Sequence, residues 1–117
     1  MTIKVATEFT ETPGARYESQ GPYSGEQFRN EILYPKFIES QEKNEELVVD
    51  LDGGYGYGSS FIEESFGGLV RKLFKEKYNK ISDVKKIKII SYDNPTWIEK
   101  IDSYIESAIL NLKKGGK

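Results

Sequence analysis

Three short runs rich in β-branched residues recur along the chain: Thr2 to Phe9 (TIKVATEF), Leu47 to Leu51 (LVVDL) and Ile87 to Ser91 (IKIIS). The segments between them are each long enough to hold a helix, and this spacing constrains the fold more than any other feature. A hairpin joins antiparallel strands with a few residues, whereas parallel neighbours need a crossover, usually helical. The order β–α–β–α–β–α therefore predicts an α/β domain whose sheet is mixed but mainly parallel and packed with about three α-helices. Leu47 to Leu51 is almost continuously apolar and flanked by Glu45–Glu46 and Asp52-Gly-Gly. It is expected to be the central strand, covered on both faces.

The helices announce themselves by their ends and stripes. Glu11 to Tyr23, with Pro13, Gly14, Gly21 and Pro22, reads as a loop or an irregular hairpin. Ser24-Gly-Glu-Gln27 has the form of a capping box and opens a helix carrying Phe28, Ile32, Leu33 and Phe37. Pro35 falls inside that pattern and predicts a kink or a break. Ile62, Phe66, Leu69, Val70 and Leu73 make the apolar stripe of a second helix starting at Ser59 or Ser60. Asn94-Pro95 resembles an N-cap with proline in the first helical position. The last helix is expected to bury Ile98, Ile101, Ile105, Ala108, Ile109 and Leu112, with Trp97 a packing residue and Lys113 to Lys117 a frayed end. No repeat or low-complexity linker interrupts the chain, so it reads as one domain over residues 1–117.

Composition removes much chemistry. The 117 residues include neither His nor Cys, which excludes disulfides, zinc fingers, thiolate nucleophiles, Ser-His triads and imidazole acid–base catalysis. A metal would have to be a hard cation held by carboxylates and carbonyls. No apolar run reaches membrane-spanning length and the first residues lack a signal-peptide stretch, so a cytoplasmic protein without a membrane partner is expected. Charge is uneven: residues 1–65 carry 13 acidic and 5 basic side chains (net −8), residues 66–117 carry 6 and 12 (net +6). The lysines from Lys72 to Lys88 are interleaved with Glu76 and Asp83 and read as a solvated face. At a net charge of −2, nucleic acid is not an expected partner.

The most informative segment is Val48 to Val70 (VVDLDGGYGYGSSFIEESFGGLV), where a buried strand runs through a glycine-rich turn into a helix. Ligands collect at this end of parallel strands, and glycine amides beside a helix N-terminus suit an anion. No nucleotide motif is present, because Gly58 is followed by Ser59-Ser60 with no lysine, and Gly54-Tyr-Gly56-Tyr-Gly58 is not GxGxxG. Ser60 and Glu63 have capping-box spacing, which would leave the Ser59 hydroxyl free. Gly67-Gly68 inside the helix costs on the order of 2 kcal/mol against alanine and calls for compensation, most simply close packing on the sheet or on another chain. Asp50 and Asp52 are expected to bond loop amides in preference to Mg²⁺.

The pattern Gly21-Pro-Tyr-Ser-Gly-Glu-Gln-Phe-Arg29, then Leu33-x-Pro35, Val49-Asp-Leu-Asp52 and Ser59-Ser-Phe-Ile-Glu-Glu-Ser-Phe-Gly-Gly-Leu-Val-Arg71 resembles the STAS-like domain family of unknown function. These are small bacterial proteins distantly related to anti-sigma-factor antagonists, and the resemblance covers nearly the whole chain. It implies a STAS-like fold. In the antagonists a serine in an Asp-Ser-Ser/Thr-Gly pattern at a helix start is phosphorylated by a histidine-kinase-like ATPase, and phosphorylation releases that partner. Carried over by that turn, Ser59 and Ser60 take the two hydroxyl positions. Gly58 stands where the pattern has aspartate, and Phe61 where it has glycine. A phosphoserine there would meet a favourable helix terminus but also Glu63 and Glu64 in the first turn.

The combined expectation is a non-enzymatic bacterial interaction module that needs no cofactor. Its partner is a histidine-kinase-like ATPase, with a homodimer left open. Its phosphorylation candidates are Ser59 and Ser60, and its binding surface comprises Asp52, Gly53, Gly54, Tyr55, Gly56, Tyr57, Gly58 and Glu63. Arg16 and Arg29 are candidates to clamp a partner carboxylate or a phosphate, against ion pairs with nearby glutamates as the favoured reading. Tyr55 and Tyr57 suit a protein surface or fold back over the core. The alternative is a module binding a small anion or nucleotide through the glycine-rich loop, Arg16 and Arg29. A Mg²⁺-dependent hydrolase using Asp50 and Asp52 ranks third. Ser82-x-x-Lys85 is a chance spacing.

Overall fold

Parallel strands β1 (Thr2–Lys4), β2 (Val48–Asp50) and β3 (Lys88–Ile90) form a sheet in the order β1-β2-β3, in a computed structural model that describes residues 1–115. Ile3, Val49 and Ile89 align across the sheet, as do Lys4, Asp50 and Ile90. Both crossovers step the same way along the sheet, and right-handed connections then place both helical crossovers on the same face. Burial follows that geometry. Ile3 and Val49 are fully buried under the helices, while Thr2, Lys4 and Lys88, whose side chains point to the opposite face, are exposed. β2 is the central strand as expected, but it is covered on one face only. An almost continuously apolar run does not report which way successive crossovers turn.

β1 is also much shorter than the Thr2 to Phe9 run. After Lys4 the chain makes a helical turn, α1 (Val5–Glu8), in which the Lys4 N–H donates to the Glu8 carboxylate at 2.9 Å and the Phe9 and Thr10 N–H groups both reach the Val5 carbonyl. This turn keeps Val5 buried and brings the Phe9 ring against Phe28, Phe61 and Tyr23. Residues 11–23 then form an irregular strap with one 3₁₀ turn at Glu18–Gln20.

The first long helix spans α2 (Gly25–Phe28), a π-helical turn (Arg29–Leu33) and α3 (Tyr34–Lys43). Ser24 Oγ accepts the Gln27 N–H at 3.0 Å, as the capping box requires, whereas the Gln27 side chain reaches one residue further back to the Tyr23 N–H. Pro35 does not break the helix. The ladder widens immediately before it, with the Tyr34 N–H donating to the Arg29 carbonyl, and such a π turn accommodates the donor that proline lacks.

α4 (Ser59–Lys75) buries Ile62, Phe66, Leu69, Val70 and Leu73 completely, as its stripe predicts. α5 (Thr96–Gly115) packs along it, starting directly after Asn94-Pro95. The Asn94 side chain accepts the Thr96 hydroxyl instead of a backbone N–H. Trp97, Ile101, Ile105 and Ala108 face the core, whereas Ile98 is exposed, so the buried stripe begins one residue earlier than expected. The helix continues through Lys113, so fraying does not begin there; residues 116–117 lie outside the described residues. One apolar core runs from β1 to α5.

Candidate functional site

The strand-to-helix turn after β2 is held by carboxylates. Asp50 accepts the Asp52 N–H at 2.9 Å, and Asp52 accepts the N–H groups of Tyr92 and Asp93 from the loop after β3. Asp93 in turn accepts the Gly53 N–H at 3.0 Å, and the Tyr55 N–H donates to the Glu11 carbonyl. Gly53 (φ 97°) and Gly56 (φ 116°) take the left-handed conformations that the turn demands. The aspartates thus bond loop amides, as expected. Amides that could have cradled an anion at Asp52, Gly53 and Tyr55 are already filled, and by groups that repel phosphate. The first half of the turn therefore offers no anion cradle. No three His, Cys, Asp or Glu side chains stand together as a metal-holding group among the described residues.

The two tyrosines of the turn part company. Tyr55 is 85 % exposed. Tyr57 folds back, donating its hydroxyl to the Leu51 carbonyl at 3.0 Å and setting its ring edge-on to Trp97 and tilted against Phe61. Burial, and then the charges of Asp50, Asp52 and Asp93, push its ionisation far above the ordinary phenol value. Tyr57 is therefore a neutral anchor, and Tyr55 the part of the turn available to a partner. Trp97 is the packing residue that the sequence suggests.

Gly58, in an extended conformation, is the N-cap of α4, and no side chain caps the helix. Ser59 and Ser60 are its first two helical residues, and both are exposed. The expected Ser60–Glu63 capping box does not form, because the helix starts two residues too early for Ser60 to cap it and Glu63 is drawn elsewhere. Neither serine is then distinguished by a capping duty. Both line an open groove with Gly14, Arg16, Tyr17 and Gln20 from the strap, so the structure brings Arg16 to the serines.

Glu63 and Glu64 are occupied by arginines. Arg16 Nη1 lies 2.5 Å from Glu63 and 3.2 Å from Glu64. Arg29 pairs with Glu64, their side chains 12 % and 9 % exposed. Arg71 pairs with Glu63 at 2.9 Å and with Glu64 at 3.4 Å. Burial alone would raise the Glu63 carboxyl, but hydrogen bonds from Arg71 and Arg16 outweigh it and hold the group below the usual carboxylate range. The Glu63 hydrogen bond likewise holds the Arg16 and Arg71 guanidinium groups more firmly protonated. Arg16 and Arg29 thus make the favoured ion pairs with glutamate.

This cluster also explains Gly67-Gly68. A Cβ on Gly67 would fall on the Glu63 carboxylate and beside Arg71 Nη1 at 3.3 Å, and one on Gly68 would meet Arg29 Nη1 at 2.7 Å and Glu64 at 3.0 Å. The glycines make room for ion pairs, not for close packing on the sheet. Arg71 and Glu64 are members of the site that the sequence does not single out. Their signal was the run Glu63, Gly67, Arg71 at intervals of four, which stacks acid, gap and base on one helix face.

Two neighbouring places therefore emerge. Asp52 to Tyr57 form a carboxylate-braced turn against Trp97, and Gly58 to Ser60 with Arg16 form a groove beside the arginine–glutamate cluster. Arg29 joins that cluster further along α4. A family profile described as STAS-like domain of unknown function (DUF4325) matches residues 24–97, which span the π-turn helix, β2, α4 and β3. No curated protein and no solved structure matches the chain.

Proposed function

The chain belongs to the family of STAS-like domains of unknown function, and on that premise we propose that it is a non-enzymatic, cytoplasmic regulatory module of bacterial signalling, bound to a protein partner through the start of α4 and released when a serine there is phosphorylated. The partner on this reading is a histidine-kinase-like ATPase that brings its own ATP and Mg²⁺.

The observation that carries it is the placing of Ser59 and Ser60: two exposed hydroxyls at the first helical positions of a 17-residue helix with no side-chain cap, in one groove with Arg16. A phosphate there brings about −1.5 to −2 charges and meets both the helix terminus and a guanidinium. Glu63 and Glu64 repel it less than their position suggests, because three arginines already neutralise them. Ser60 lies one turn before Glu63 and Glu64 on the same helix face. Its phosphate would compete with them for Arg16 and loosen the strap from α4, which alters the surface a partner reads. Exposed Tyr17, Tyr23 and Tyr55 supply the adjacent contact area.

The departures from the antagonist pattern have structural roles. Gly58 is the N-cap, and Phe61 is a core residue, 1 % exposed and stacked on Phe28. The test is a pull-down from native lysate with and without Mg·ATP, with intact mass read on recovered wild type, Ser59→Ala and Ser60→Ala. The expected result is a co-purifying ATPase and one added phosphate that one of the two variants lacks. Recovery of neither partner nor phosphate removes the switch.

A further inference from the structure

Beyond the serine groove, α4 carries a second, cationic groove about 260 Å³ in volume, lined by Arg29, Asn30, Glu64, Arg71, Lys72 and Lys75 along with Gly68. Four cations face one carboxylate. We propose that this groove binds a phosphoryl group, as a phosphate monoester, independently of any modification at Ser59 or Ser60.

The donor count supports a ligand. A guanidinium offers five N–H donors. Arg29 gives Nη1 to Glu64 and Nε to Asn30, and Arg71 gives Nη1 and Nη2 to Glu63 and Glu64. Arg29 Nη2 and Arg71 Nε have no protein acceptor among the described residues. No buried side-chain nitrogen or oxygen among those residues is left unpaired, so these donors are open to solvent. Lys75 is exposed, with no acidic partner within ion-pair distance among the described residues, while Lys72 is shared with Glu76 at 3.2 Å.

The same count selects the ligand. Glu64 already fills the place of a carboxylate among Arg16, Arg29 and Arg71. What remains around the groove is donors on four separate side chains and a net charge of about +2, with Arg16, Arg29, Arg71, Lys72 and Lys75 set against Glu63, Glu64 and Glu76. A phosphate monoester, with about two negative charges and three acceptor oxygens, matches this better than a carboxylate with one charge and two. The arginines come positioned: Arg29 is held by Glu64 and Asn30 and Arg71 by both glutamates, which lowers the ordering cost of binding. In the glycine-rich turn the Asp52 and Gly53 amides are taken by aspartates and the Tyr55 amide by the Glu11 carbonyl, and the turn has no cationic side chain of its own.

The experiment titrates glycerol 3-phosphate into the ¹⁵N-labelled full chain at fixed ionic strength, following the backbone amides and the arginine Nε–H signals. Saturable shifts of Arg29, Arg71 and the second half of α4 are expected. Lys75→Gln, an exposed change with no protein partner to strand, should weaken binding about 3- to 10-fold, the effect of one charge-assisted contact at a partly exposed site. Lys88→Gln, on the open sheet face, and the Ser59→Ala/Ser60→Ala double variant should bind as wild type, which separates this site from the serine switch. Non-saturating shifts, equal weakening by Lys88→Gln, or saturation by tetraglutamate but not by glycerol 3-phosphate would each overturn the proposal.

Discussion

Gly25, Gly67 and Gly68 each lie where a methyl group would meet another atom, and those atoms differ in how far they can move. At Gly67 the obstacle is the end of the Glu63 side chain, which is 24 % exposed and can swing away. Alanine there gains about 1 kcal/mol of helix propensity and loses up to about 1 kcal/mol of a partly exposed ion pair, so Gly67→Ala should be nearly neutral. At Gly68 the obstacle is the Arg29–Glu64 pair, which is largely buried. Displacing it outweighs the propensity gain, and Gly68→Ala should destabilise by about 1–2 kcal/mol. At Gly25 the obstacle is the backbone carbonyl of Phe61, and overpacking against main chain should cost about 2–3 kcal/mol. Urea denaturation of the three variants checks the order; Gly67→Ala proving worse than Gly68→Ala would sink the ion-pair explanation. The cost of the paired glycines was legible in the sequence, but their purpose was not. A helical wheel shows which face a glycine occupies but not that Arg29 arrives there from another helix.

Among the elements, those fixed by local periodicity were the legible ones. α4 and its stripe, the central position of β2 and the capping serine of α2 follow from patterns that neighbouring residues set. Early termination of β1 comes with local contacts that the pattern does not announce, the Glu8 carboxylate reaching back to the Lys4 N–H and the Phe9 and Thr10 N–H groups to the Val5 carbonyl, and β-branched residues read equally well as strand. The π turn before Pro35 solves a hydrogen-bonding problem that the sequence states without saying how it is resolved. The junction after β2 lies between these cases. Asp52 was expected to bond amides, yet the amides prove to be those of Tyr92 and Asp93, 40 and 41 residues away. Asp52 therefore joins the β2 and β3 turns, and Asp52→Asn, which keeps one acceptor oxygen and loses the charge, should cost about 1 kcal/mol. Its signature is local. Hydrogen exchange should speed up at Tyr92 and Asp93 while the amides of α4 beyond its first turn keep their relative protection. A uniform loss of protection would mean that Asp52 acts on global stability and not on this junction.

For the whole molecule, the opposite charges of the two halves of the chain are brought into contact rather than kept apart. Arg71, from the basic half, is locked to Glu63 and Glu64 of the acidic half, while Arg16 and Arg29 bring the strap and the π-turn helix to the same pair of carboxylates. One cluster thus ties three segments together on the helical side of a sheet whose other face is open. That gives stability a defined pH profile. The chain has no His and no Cys, so no side chain at its ordinary value ionises between about pH 6 and 8 and the urea midpoint should be flat there. The Glu63 carboxyl sits below its ordinary range in the folded protein, with burial opposing the shift and the Arg71 and Arg16 hydrogen bonds driving it. Around pH 4 the unfolded chain therefore binds more protons at this position than the folded one, and stability rises with pH. The contribution is complete above about pH 4.3, the ordinary glutamate value, and is lost as the pH falls through the lower folded value. Urea midpoints measured from pH 3 to 8 should show the plateau and then an acid limb. Glu63→Gln should lower the plateau and make the limb shallower without abolishing it, because it leaves Arg16 and Arg71 short of a carboxylate and removes one of the lowered carboxylates, while the ion-paired Glu39, Glu76, Asp83 and Glu106 still titrate. An acid limb equally steep in Glu63→Gln would place the titration elsewhere and leave the cluster without its role in holding the strap to α4.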